Sequence, residues 1–546
     1  MTMADGQGLR EPRRSGLLLW LVLGAVWLGT APWRPLLDPD EGRYAEIPRE
    51  MLAQGDWVTP RLNGLKYFEK PPLQYWATAA TYSLFGIREW TARLWSVGLG
   101  FLCLPLVFGW TARLQGREAG AAAVLALGVS PYFEIIGHLN LLDAGFAFWM
   151  AGTVYAFTLA QSAVPGSEAE RRWMLIAWVG AAFAVLTKGI VVGVLAGGSL
   201  VAYSVLERDA RPWRRLHALW GLPLFLLVSA PWFLLVSARN PSFAQFFFVH
   251  EHFARFLTTV HQRTEPWWYF LVILLVGALP WLPMLPPAVR NGWLDSGLSS
   301  GFKPLKFLLI FASITLVFFS LSGSKLAPYI LPMMPALASL VGICAARRAH
   351  FVRHAAALAG VLMLVLSVAF IVYATRRHGT LPPAVLPWIL AGAAAGVAGA
   401  IAAWRYAPGG SLRPVWIAVA CSALAWQGAL CAFAELPGRS ARQLLLPIQS
   451  LIHPETQLFT IGQYRETLSP YLKRTLTPVD FRGELEFGLR EEPQKGLTGE
   501  QFLARWNTAA DAVAFLDPRA LPAWRERGLT GRIIGTDGNT VAVSRP

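Results

Sequence analysis

The polar residues able to do chemistry in this chain are few and are set among long apolar runs. Leu37-Asp38-Pro39-Asp40-Glu41-Gly42-Arg43-Tyr44-Ala45-Glu46 brings several carboxylates together directly after the first apolar run. Carboxylates so placed can act as general bases or steady a developing positive charge. The same spacing also suits a helix start, with Asp38 as N-cap, Pro39 at N1 and Glu41 at N3. Tyr44, Ile47, Met51 and Leu52 then form an apolar stripe along an interfacial helix. From spacing alone the capped start is favoured over catalysis, and the two are compatible, because a catalytic acid can sit in a capped turn.

Further along, Tyr67-Phe68-Glu69-Lys70-Pro71-Pro72 sets an acid and a base where the chain re-approaches the bilayer. Lys70 suits a snorkelling interfacial lysine and equally a cation meeting a lipid phosphate. Asp143 opens another apolar run, where a helix N-terminus favours an acid. Lys188, between two runs, reads as an interfacial anchor ahead of a ligand contact, with a buried site as the alternative. His250, Glu251 and His252 lie in a loop between Phe246-Phe247-Phe248 and Trp267-Trp268. His250 and Glu251 can join Glu69 around a divalent cation such as zinc or magnesium. They lack the spacing of a zincin helix, so a metal is an option and not a requirement. Tyr329 suits either the aromatic belt of a membrane protein or a hydroxyl in a binding site.

The elements that must hold these residues are membrane helices. Of 546 residues 54% are hydrophobic and 15% charged, with 24 Trp and a mean hydropathy of +0.42, a balance that one soluble core could not hide. The formal net charge of +15 is spread over short clusters between apolar runs, which are topology signals; no basic stripe for nucleic acid exists. The four cysteines lie in apolar stretches without disulfide or zinc spacing. Arg10, Arg13 and Arg14 precede the run from Gly16 to Trp33, and no small-residue cleavage site follows, so a retained first helix is expected.

Runs of spanning length can be placed about thirteen times, at 16–33, 91–112, 119–137, 142–161, 173–188, 190–206, 216–238, 268–288, 304–322, 326–345, 352–374, 385–404 and 414–434. With the N-terminus inside, the inner loops collect arginines such as Arg113, Arg171, Arg208, Arg214, Arg347 and Arg405. Segments 34–90, 138–142, 239–267 and 323–327 then face outward and hold most of the unusual polar residues. After Glu435 charged residues become frequent. Strands are expected at Thr456 to Ile461, Ala512 to Phe515, Gly531 to Ile534 and Thr540 to Val543, and helices at Thr498 to Trp506 and Pro518 to Gly528. The expected division is a membrane domain, 1–435, and a small outward α/β domain, 436–546. No Walker A, Rossmann or solenoid pattern appears.

Asp40-Glu41 with Arg43-Tyr44-Ala45-Glu46, then Gly55-Asp56-Trp57 and Tyr67-Phe68-Glu69-Lys70-Pro71, resembles the first periplasmic loop of GT-C class membrane glycosyltransferases. The branch it is most similar to contains the aminoarabinose lipid A transferases, with protein O-mannosyltransferases as more distant relatives. The resemblance continues in Leu141-Leu142-Asp143, in His250 to Phe256, and in Ser324-Lys325-Leu326-Ala327-Pro328-Tyr329-Ile330-Leu331-Pro332. Ala327, where a Pro is expected, and the Pro71-Pro72 pair depart from that pattern without touching an acid or base.

The resemblance implies a polytopic GT-C fold and an enzyme of the bacterial inner membrane with a periplasmic site. The donor it implies is a sugar on undecaprenyl phosphate, 4-amino-4-deoxy-L-arabinose or a related sugar, and the acceptor is lipid A. It makes Asp40, Asp143 and Glu41 the catalytic acids, Lys70 and Arg255 the donor-phosphate ligands and Tyr329 a donor-site hydroxyl. Alternatives are a GT-C transferase acting on protein or O-antigen, and a lipid or sugar transporter. One-sided polar loops without internal repeats disfavour the transporter.

Overall fold

The computed structural model describes residues 13–254, 265–298, 300–346, 350–406 and 412–545. A helix, or a bent helix pair, occupies each of the thirteen expected span positions. Among the described residues seven helices are each long and apolar enough to cross a membrane, and nine if bent pairs count as one span. The two bends fall at residues 129–130, between Arg117–Gly128 and Pro131–Gly137 (72°), and between Tyr269–Gly277 and Leu279–Trp293 (87°). Both have a proline at the start of the second arm, Pro131 and Pro280, which supplies no backbone donor to the helix before it. The chain is a multi-pass membrane protein whose bundle core is lined by small residues. The Ala-rich helix Arg117–Gly128 packs so closely that a Cβ on Gly342 would meet Ala123 at 2.4 Å.

The segment after the first helix folds back as the juxtamembrane helix Asp40–Gln54, a two-strand hairpin (β1, Arg61–Leu62; β2, Leu65–Lys66) and the helix Leu73–Phe85. The juxtamembrane helix is almost wholly buried. Polar residues outnumber apolar ones along it, so its partners must be polar as well. The expected stripe of Tyr44, Ile47 and Met51 is present and buried.

The C-terminal domain is a five-stranded sheet in the order β4-β3-β5-β7-β6, with β3 Gln457–Ile461, β4 Thr477–Val479, β5 Ala512–Leu516, β6 Arg532–Thr536 and β7 Val541–Ser544. The strands β3, β4 and β5 run parallel, and β7 is antiparallel to β5 and β6. Four strands stand where the sequence predicted them; β4 is three residues long and begins with Thr-Pro, too short to stand out. Phe502, Trp506 and Trp524 from the two expected helices cover one sheet face.

This domain sits on the loop segments predicted to share its side. Arg61 pairs with Glu492 at 2.9 Å, Ser242 donates to Glu491 at 2.8 Å, and the Asn63 side chain bonds both backbone groups of Leu476 at 2.7 Å. Segments 34–90 and 239–254 and the C-terminal domain therefore form one polar cap at one end of the bundle.

Candidate functional site

The turn Leu37 to Arg43 is set from outside itself. The juxtamembrane helix begins at Asp40, and no side chain caps it. The expected Asp38 cap is thus corrected: its carboxylate is turned to the C-terminal domain, accepting from the Thr467 amide at 2.9 Å and Arg465 Nε at 2.6 Å. One charged donor and one backbone amide in another domain outcompete the amides of its own helix. Gly42 is required by the same contact, since a Cβ there would lie 2.6 Å from the Glu466 backbone.

Glu41 points into the protein and is 2% exposed. Its Oε1 accepts from Arg93 Nε (2.8 Å), Arg34 Nη2 (3.3 Å) and the Asn140 amide (2.9 Å); Oε2 accepts from Arg93 Nη2 (2.8 Å) and the Leu37 amide (3.0 Å). Burial works to raise its pKa, but the two guanidiniums and these donors outweigh it and hold the carboxyl down to about 2. Arg93, fully buried, also donates to the carbonyls of Ala31 (3.0 Å), Arg34 (2.6 Å) and Pro35 (2.7 Å). Glu41 and Arg93 thus tie the end of the first helix to the helix Glu89–Gln115. The sequence reading passed over Arg93, although a charge within a predicted apolar span was a signal.

Asp40, the next residue back, has a side chain 43% exposed, with Arg43 Nη1 at 2.8 Å. Arg43 also bonds Glu484 of the C-terminal domain and lies 3.8 Å from Glu466. Burial, with a hydrogen bond that its protonated form donates to Glu484, pushes the Glu466 carboxyl well up. Tyr44 and Tyr75 stack 6.2 Å apart, and Tyr44 is within electrostatic reach of both Asp40 and Asp143. Asp40 and Asp143, more than a hundred residues apart in the chain, thus both lie near the same tyrosine. Nearby, the buried hydroxyls of Tyr67 and Tyr75 have no hydrogen-bond partner among the described residues.

Asp143 lies in the first turn of the helix Leu142–Ser162 and pairs with Lys188, the last residue of Glu168–Lys188. The Lys188 ammonium sits over the rings of Tyr329 (4.7 Å) and Phe146 (5.4 Å). Lys188 is therefore half-buried among the site residues and is not the interfacial anchor its position suggested. Tyr329 occupies the tight helical turn Ala327–Met333, whose first carbonyl accepts from Tyr132 Oη at 2.7 Å.

Lys70 donates to the Glu69 carbonyl at 2.8 Å and stands 3.7 Å from Glu251, whose side chain is buried. His250 Nδ1 is 3.5 Å from Glu251 and its ring stacks on Phe246. Among the described residues no three His, Cys, Asp or Glu side chains are grouped closely enough to hold a metal ion. Arg255 lies outside the described residues. One turn along the juxtamembrane helix, Glu46 holds Arg49 through two bonds at 2.6 and 2.7 Å, and Glu50 accepts from the Gly64 amide. Burial and the neighbouring Glu46 push the Glu50 carboxyl up to about 8.

The comparisons with known proteins agree with this architecture. Residues 33–247 match the family described as dolichyl-phosphate-mannose-protein mannosyltransferase, and residues 444–545 match the aminoarabinose transferase C-terminal domain. The undecaprenyl phosphate-alpha-4-amino-4-deoxy-L-arabinose arabinosyl transferase of Pseudomonas aeruginosa (strain UCBPP-PA14) is 33% identical over 409 residues, covering 72% of each chain. The corresponding transferase 1 of Sodalis glossinidius is 36% identical over 334 residues, covering 60% of this chain and 59% of that one. The crystal structure of ArnT from Cupriavidus metallidurans bound to undecaprenyl phosphate superposes with a TM-score of 0.85 at 32% identity, covering 98% of both chains. The chain belongs to the aminoarabinose transferase family, GT-C membrane glycosyltransferases that draw their sugar from a polyprenyl phosphate.

Proposed function

We propose that this protein transfers 4-amino-4-deoxy-L-arabinose from undecaprenyl phosphate to a phosphate of lipid A, at the periplasmic face of the bacterial inner membrane. The reading is supported by Asp40 and Asp143 both lying within electrostatic reach of Tyr44, and by Lys188 pairing with Asp143, in a chain that aligns over almost its whole length with a relative whose crystal structure holds undecaprenyl phosphate.

In this reading the bond between the sugar anomeric carbon and the donor phosphate oxygen breaks, and undecaprenyl phosphate leaves with the electron pair. An oxygen of the acceptor phosphate forms the new bond. Positive charge gathers on the sugar and negative charge on the departing phosphate. Lys70 and Arg255 hold that phosphate. Asp40 and Asp143 face the sugar, and Lys188, paired with Asp143, orients it. The acceptor phosphate is already an anion, so Asp40 positions and balances charge; a hydroxyl acceptor would make it a general base. Glu41, with both oxygens occupied, positions the turn. The unpartnered hydroxyls of Tyr67 and Tyr75 suit recognition of a small polar head group. The transporter reading has no use for a carboxylate pair confined to one end of the bundle. No metal is required in this reading.

The test is turnover of labelled aminoarabinosyl undecaprenyl phosphate by the purified protein with lipid A, with and without a chelator, and mass spectrometry of the product. Lipid A heavier by one aminoarabinose residue, formed equally with chelator present, supports the proposal. Label found instead on protein would move the chain toward the activity named in its N-terminal match. Loss of transfer on chelation would bring back the metal formed with Glu69 and His250.

A further inference from the structure

On the flank of the C-terminal domain, away from the acids described above, a groove of about 450 Å³ runs between Arg442 to Gln449, Ile452 to Pro454 and Tyr471 to Arg474, and ends at Glu89. It carries three cations, Arg442, Lys473 and Arg474, against one acid, Glu89, which lies 3.9 Å from Arg442. Among the described residues neither Lys473 nor Arg474 has a carboxylate within ion-pair distance. Arg474 is fixed in the wall by donating to the carbonyls of His453 (2.9 Å) and Thr456 (2.6 Å), which leaves its positive charge uncompensated.

The other wall is apolar, formed by Leu445, Leu446 and Ile452. Leu446 is 61% exposed, as is Trp33 at the end of the first membrane helix, whose carbonyl lies 3.5 Å from Arg442 Nη1. Glu89 opens the membrane helix Glu89–Gln115, and the exposed Ile87 comes just before it. The groove therefore lies at the level where the helix ends leave the bilayer.

We propose that this groove binds an anionic phospholipid of the surrounding leaflet, its phosphate on Arg442, Lys473 and Arg474 and an acyl chain along Leu445, Leu446 and Ile452. The charge selects an anion, and the exposed Leu446 at membrane level selects one that carries a hydrocarbon chain. A free phosphate would have no use for the apolar wall, and a neutral lipid none for three cations. The site tethers the C-terminal domain to the membrane surface, and it is independent of which acceptor the enzyme uses.

The experiment measures lipid retained by the delipidated, detergent-solubilised full chain, using native mass spectrometry with dioleoylphosphatidylglycerol, dioleoylphosphatidylcholine and glycerol 3-phosphate as probes. Phosphatidylglycerol is expected to be retained about fivefold or more over phosphatidylcholine. Each cation removed should cost about fivefold, the scale of one basic residue at an anionic surface. Lys473→Gln should thus lower retention about fivefold, Lys473→Arg should keep it, and Leu446→Ser should lower it without changing the headgroup preference. Lys473→Gln is the deciding variant, because the Lys473 carbonyl that accepts from Arg49 is untouched. Equal retention of the two lipids, or a preference unchanged by Lys473→Gln, overturns the proposal. Displacement by glycerol 3-phosphate at matching concentration overturns it too, since the acyl chain would then contribute nothing.

Discussion

Asp40 and Glu41 are neighbouring carboxylates at the start of one helix, and their surroundings differ in every respect that matters for chemistry. Glu41 is buried under five donors, two guanidiniums among its partners; the Asp40 side chain is 43% exposed and lies 2.8 Å from Arg43. A carboxylate whose lone pairs are all taken can anchor a turn but has nothing left to offer a substrate. One whose side chain is left partly exposed can still be reached. Successive residues on a helix point about 100° apart, so one is left partly exposed and the next faces the bundle. The comparison teaches that within this motif accessibility divides structure from chemistry, and residue type does not.

The largest effect should come from breaking the buried half. Arg93→Ala leaves Glu41 ionised without its main partner, and should cost about 3–5 kcal/mol of stability, seen as a large fall in unfolding temperature in detergent. A stable Arg93→Ala protein would mean that Arg34 alone suffices for Glu41. Next in size, Asp40→Asn should lower transfer by roughly a hundredfold or more while leaving the unfolding temperature unchanged. If instead activity and stability fall together, Asp40 is as structural as Glu41 and the contrast disappears.

Lys70→Ala should reduce single-turnover rate at saturating donor by about a hundredfold, the scale of one preorganised charged donor. Apparent donor affinity should fall less, because the polyprenyl chain still partitions into the bilayer. Normal turnover would leave Lys70 as the mere partner of Glu251.

The smallest effect concerns pH and uses the second carboxylate pair on the same helix. Glu50 is raised from an ordinary value of 4.5 to about 8. The folded protein therefore binds a proton that the unfolded chain releases between those values. Its contribution to stability is fully present below about pH 4.5 and is lost as pH rises through about 8. Glu50→Gln should flatten that decline, so the variant gains on the wild type at pH 8 to 9 and hardly differs at low pH. Parallel unfolding curves at all pH values would show that Glu50 is ionised in the fold.

Much of the architecture was legible in the chain. Apolar runs marked every helical position of the bundle, because the bilayer demands a long apolar stretch and composition alone satisfies that demand. Short strand-like runs among charged segments marked β3, β5, β6 and β7, but β4 and the hairpin β1–β2 are too short to give such a run. The bends near Pro131 and Pro280 were smoothed into continuous spans, since hydropathy averages over a window and does not sense direction. Of the candidate residues, Asp40, Asp143, Lys70 and Tyr329 were all named from the motif. Lys188 and Arg93 were misread or passed over, because a lone charge at a helix end looks the same whether its partner is water or a carboxylate.

What the sequence determined by itself was where the chain is apolar, where it turns polar and which motif it carries, all properties of neighbours in the chain. Tertiary structure decided which acid each cation meets. Glu41 is held by Arg34, Arg93 and Asn140, which lie 7, 52 and 99 positions away, and Asp38 by Thr467, 429 positions away. Such pairings depend on how helices and the C-terminal sheet come together in space, and the Coulomb attraction that selects them falls with distance in space, whatever the separation along the chain.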